Sequence, residues 1–78
     1  MIYDKLTTII TDSLGVPEQD ITPDTSLVED LAADSLDLYE LMMALEEEFN
    51  VEIPQELTND IVYVEDIVRV LKELGVED

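Results

Sequence analysis

Apolar positions recur at helical spacing in three stretches of the chain, and nowhere do they alternate convincingly enough to suggest a strand. Ile2, Leu6, Ile9, Ile10 and Leu14 predict a first helix over Tyr3 to Leu14. Gly15 ends it as a left-handed residue, and Pro17 prevents its resumption. Val16 to Ala33 holds Pro17, Pro23 and the turn-forming run Asp24-Thr25-Ser26 without a sustained period. It reads as a long loop pinned by Ile21, Leu27 and Leu31. Asp34 supplies the N-cap of a second helix that runs to Phe49, with Asn50 in the C-cap region and Pro54 blocking extension. A short turn of helix is expected around Gln55 to Asp60. Val64, Ile67, Val68, Leu71 and Leu74 predict a last helix from Val64 to Leu74, closed by Gly75. One domain over 1–78, with three longer helices and one short one, is an all-α, up-and-down four-helix bundle.

The second helix has two apolar faces. With Leu36 at 0° and about 100° per residue, Leu38, Leu41, Met42, Leu45 and Phe49 fall between about 140° and 240°, the face a bundle buries. Leu36, Tyr39 and Met43 gather elsewhere, between about 300° and 360°, bordered by Glu46, Glu47 and Glu40. Either the third helix or the loop covers this seam, or it is a docking strip on which methionine adapts to partners and glutamates steer basic ones.

Charge changes the picture. The chain has 21 acidic and 3 basic residues, a formal net charge of −18. Such a charge suggests disorder only where hydrophobicity is low, and Leu, Ile, Val and Phe make up 27 of the 78 residues. The chain is expected to fold, although at this size stability is marginal. No Lys or Arg lies between Leu6 and Val68, where 17 acids fall, so internal ion pairs cannot neutralise that stretch. Nucleic acid and anionic membrane are repelled as partners, basic protein surfaces are attracted, and the charge argues for a monomer.

With neither His nor Cys, the chain has no Ser–His or Cys–His pair, no zinc site of the usual ligands and no disulfide, and an enzyme is not expected. The loop Asp20 to Thr25 puts oxygen ligands at alternating positions, but Thr25 stands where a calcium loop needs Gly and Leu31 where it needs Glu; no metal site is expected. No apolar run approaches the roughly 20 residues that span a bilayer, and no signal peptide is evident, which fits a cytoplasmic protein.

Ser35 opens the second helix, where unsatisfied N–H groups favour a bound or attached phosphate. Asp-Ser is also a common way to begin a helix. The chain has no His, and its three basic residues lie near the ends, so any chemistry at Ser35 is expected to come from another protein.

The run Leu31-Ala32-Ala33-Asp34-Ser35-Leu36-Asp37, followed by Glu40 to Phe49, resembles the signature of acyl carrier proteins. The resemblance extends over Ile21 to Leu27 in the loop and Val51 to Pro54 after the second helix. It implies a bundle whose serine, here Ser35 preceded by Asp34, receives 4′-phosphopantetheine from coenzyme A through a separate Mg-dependent phosphopantetheinyl transferase. It further implies acyl chains held as thioesters on that arm and presented to fatty acid synthesis enzymes with basic docking patches. The docking positions of the family match Leu36, Tyr39, Glu40, Met43, Glu46 and Glu47. A specialised carrier for polyketide or another acyl pathway is the alternative, followed by an acidic inhibitor that fills basic grooves. Three positions depart from the family pattern. Ala32 stands where Gly is common, which costs little unless φ is positive. Tyr39 replaces an aliphatic residue, and Tyr63 replaces a Thr or Ser cap, so the last helix is expected to start frayed or shifted.

Overall fold

The three apolar stripes become three helices in the computed structural model, which describes Met1 to Asp78. Helix α1 spans Ile2–Leu14, α2 Ser35–Phe49, α3 Gln55–Thr58 and α4 Val64–Glu73. The chain is a four-helix bundle of three longer helices and one short one, with a long loop between α1 and α2. Leu6, Ile10, Leu41, Leu45, Ile67 and Leu71 are fully buried where α1, α2 and α4 meet. α3 contributes no buried residue.

Boundaries differ from expectation by a residue or two. α1 begins at Ile2 rather than Tyr3 because the Asp78 carboxylate accepts the Ile2 N–H at 2.9 Å, across nearly the whole sequence. Gly15 (φ 70°) closes α1 in the left-handed conformation, its N–H donating to the Thr11 carbonyl. α3 stops at Thr58, short of Asp60, and α4 at Glu73, short of Leu74.

The loop is more ordered than its composition indicates. Glu18–Asp20 form a single 3-10 turn that periodicity could not reveal. Ile21 and Leu27 are buried as expected and Leu31 is half-buried, while Thr25 and Ser26 are buried without having been anticipated. Thr25 Oγ1 accepts the Thr22 N–H, and Ser26 Oγ accepts that of Glu29, so both buried hydroxyls are satisfied.

The loop also caps α4. The N–H groups of Val64 and Glu65 donate to the carbonyls of Thr25 (3.0 Å) and Pro23 (2.8 Å), and Leu27 N–H donates to Val62 (3.1 Å). Asp66 accepts from Val62 and Tyr63 N–H at 3.0 and 2.9 Å. These bonds do the work that the Tyr63 side chain does not, and α4 starts at Val64, neither frayed nor shifted.

Candidate functional site

Asp34 sits in extended backbone (φ −98°, ψ −176°) and caps α2. Its carboxylate accepts the Asp37 N–H at 2.8 Å, and Asp37 returns the bond to the Asp34 N–H at 3.1 Å. This reciprocal box settles two of the orphan donors at the helix start. The N–H groups of Ser35 and Leu36 have no acceptor, and Ser35 is exposed at the first helical position.

The approach to this corner is fixed from behind. Ala33 is buried and its N–H donates to the Leu27 carbonyl at 3.0 Å. The chain turns into that bond through Ala32 at φ 58°, the left-handed region, so the condition under which alanine becomes costly is met.

Ser35 lies at a groove of about 460 Å³ whose other walls include Leu38, Tyr39, Met42, Met43 and Ile53, with Gln55, Thr58 and Asn59 from the α3 side. A larger depression of about 660 Å³, among Tyr3, Pro23, Val68 and Arg69, contains neither Ser35 nor any of the candidate docking residues.

The two faces of α2 separate as the angles require. Leu41, Met42 and Leu45 are buried, with Leu38 and Phe49 half-buried, whereas Leu36, Tyr39 and Met43 are 63%, 62% and 51% exposed. Neither the loop nor another helix covers this seam. Glu40 and Glu47 are exposed and free of internal hydrogen bonds. Glu46 is half-buried, and its Oε2 accepts the Ile53 N–H at 2.8 Å. The angular argument places Glu46 correctly but could not show this engagement, because its partner is a backbone group seven residues on.

The carboxylates whose acidity departs from the ordinary lie away from Ser35. Partial burial raises the Asp66 carboxyl, but the Tyr63 and Val62 N–H groups and Arg69 outweigh it and hold it below the usual range. The Asp78 carboxyl is lowered first by the Ile2 N–H, with Lys72 adding to it. No cluster of acids in the structure is arranged to hold a metal ion, and no helix is long and apolar enough to cross a membrane.

A family model described as a phosphopantetheine attachment site matches residues 4–71, which makes this a carrier domain of the phosphopantetheine-bearing class. An acyl carrier protein from Clostridium acetobutylicum is 44% identical over 72 residues, covering 92% of this chain and 94% of that one. The solved structure of a candidate acyl carrier protein from Mycobacterium tuberculosis is similar with a TM-score of 0.87 at 29% identity, over 94% of this chain and 97% of that one. The chain belongs to the acyl carrier protein family.

It is therefore a carrier rather than an enzyme, and its prosthetic group is covalently bound 4′-phosphopantetheine. The corner at Ser35 fits such a group. It offers an exposed hydroxyl, two free N–H groups at the positive end of a helix to receive phosphate oxygens, and an apolar-walled groove alongside. When bound, the group supplies a thiol on a long arm, so the absence of cysteine from the chain is no obstacle.

Proposed function

We propose that Ser35 is the attachment residue and that the protein carries acyl thioesters for fatty acid synthesis. One observation carries the assignment. The chain has three serines, and only Ser35 is exposed: Ser13 is half-buried within α1, and Ser26 is buried with its hydroxyl bonded to the Glu29 N–H. The capping box holds the α2 start so that the Ser35 hydroxyl meets an incoming enzyme without local rearrangement. The base that takes its proton comes from the phosphopantetheinyl transferase, since this chain has no histidine and the neighbouring Asp34 and Asp37 carboxylates are engaged in the capping box.

The exposed Leu36, Tyr39 and Met43 seam is where that transferase and the synthesis enzymes dock. Asp34, Glu40 and Glu47 guide basic patches toward it, Glu46 lies at its edge, and the acidic chain works as a cytoplasmic monomer.

Intact mass after incubation with coenzyme A, Mg²⁺ and a broad-specificity transferase tests the attachment. The wild-type chain gains one phosphopantetheine and Ser35→Ala gains none, while its stability changes by no more than about 1 kcal/mol. Loading of the Ala variant overturns the assignment. For the seam, Met43→Ala speeds dissociation of the transferase and leaves stability nearly unchanged, whereas Leu45→Ala, at a fully buried position, costs about 2–5 kcal/mol. Comparable destabilisation by both, with unchanged binding kinetics for Met43→Ala, removes the docking role. The pathway is read from reconstitution with a malonyl transferase and ketosynthase of fatty acid synthesis, where failure to accept the loaded protein points to another pathway.

A further inference from the structure

The α3 side of the groove is tethered to α2 by a single hydrogen bond. From Ile53 to Ile61 every hydrogen bond closes within the segment except one, the Ile53 N–H donated to Glu46 Oε2 at 2.8 Å. α3 itself is four residues long and contributes no buried residue, and the flanking Ile53 and Ile61 pack against the core while only partly buried. Ile53 and Glu46 both line the groove that Ser35 adjoins.

Glu46 also stands at an unfavourable place for an anion. The last turn of α2 holds Glu46, Glu47 and Glu48 and no basic residue, so three carboxylates crowd the negative end of the helix dipole. A cation arriving there is attracted by the carboxylates and by the helix end together. Of the three glutamates flanking the seam, only Glu46 has its carboxylate engaged within the protein, and it remains partly open to solvent.

We propose that Glu46 is a latch coupling docking to the groove. In the free protein it holds Ile53 against α2. An arginine or lysine of a partner seated on the seam draws the carboxylate away, Ile53 is released, and the α3 wall swings outward beside Ser35. The proposal rests on the docking half of the function above and is independent of which residue bears the prosthetic group. A charge-assisted bond to a guanidinium replaces a charge-assisted bond to an amide, so the exchange is close to balanced and reversible.

Amide hydrogen exchange of the full-length protein, read by NMR with and without saturating tetra-arginine peptide, tests this. In the wild type the peptide accelerates exchange of the Ile53 amide by about fivefold or more, with the core amide of Leu45 unaffected. Glu46→Gln keeps a carbonyl acceptor without the charge: its Ile53 amide stays within about threefold of wild type, and the peptide no longer changes it. Glu46→Ala exchanges fast at Ile53 with or without peptide. An Ile53 amide in the wild type that ignores or is slowed by the peptide overturns the latch, as does equal acceleration in Glu46→Gln or slow exchange in Glu46→Ala. Transferase loading of Ser35, measured by mass on the same samples, reports separately on the attachment residue.

Discussion

Ala32 shows how much one methyl group can matter at a site it does not touch. Its φ of 58° places the β-carbon against the following carbonyl, at a cost of about 1–2 kcal/mol that glycine avoids. Glycine in turn gives the unfolded chain more freedom, worth about 0.4–1 kcal/mol in the opposite direction. Ala32 is exposed, so no packing is lost on truncation. Ala32→Gly is therefore expected to stabilise the protein by about 0.5–1 kcal/mol, seen as a higher urea midpoint at unchanged slope. A lower midpoint shows that strain at this turn is not the dominant effect. Sequence identifies the alanine and states the condition for its cost, but the backbone angle depends on Ala33 being drawn to Leu27, a contact no local pattern announces.

Helices were legible to the extent that they bury a stripe. α1, α2 and α4 were placed within one residue at each end because periodicity, caps and breakers agree there, and the two faces of α2 separated by angle alone. What escaped were the features made by hydrogen bonds between distant parts: the capping of α4 by loop carbonyls and the tie from Glu46 to Ile53. Tyr63 led to a wrong expectation for this reason, since the cap it lacks is supplied by Asp66, Thr25 and Pro23. Asp66→Ala is expected to cost about 1–2 kcal/mol near neutral pH by leaving two N–H groups unsatisfied. The folded-state acidity of Asp66 is depressed, so its contribution is full above the ordinary aspartate value of about 3.9 and is lost as pH falls through the lower folded value. Urea melts of both proteins between pH 7 and pH 2.5 should show a gap that persists to about pH 4 and then narrows. A gap constant throughout assigns the loss to packing rather than to the carboxylate.

For the molecule as a whole, charge and compactness pull in opposite directions. The radius of gyration is 11.2 Å, against about 11.5 Å for a compact chain of this length, so a charge of −18 does not swell the fold. Nor is that charge cancelled internally. The three ion pairs, Arg69 with Asp66 and with Glu73 and Lys72 with Asp78, are solvent-accessible and add little. Repulsion is thus a standing load on the native state. Screening shortens from about 10 Å at 0.1 M salt to about 3 Å at 1 M, so the melting temperature should climb with NaCl, and at lower concentrations with MgCl₂. A melting temperature flat in both series shows that the unfolded chain repels itself as strongly as the folded one. Composition made this load legible; how the core outweighs it required the structure.

The pairing of residues 23–27 with 62–65 has a consequence for the order of events in folding. α2 and its capping box are built from neighbours in sequence and can form early, whereas the strap from Leu27 to Val62 closes a long loop and must wait for α4 to settle. Ala33 is held to Leu27, so the backbone leading into Ser35 takes its final course only when that closure is made. A nascent chain lacking its last seventeen residues, Val62 onward, can carry the helix and its serine but not their setting. Presentation of Ser35 thereby reports that the C-terminal part of the protein has arrived and docked.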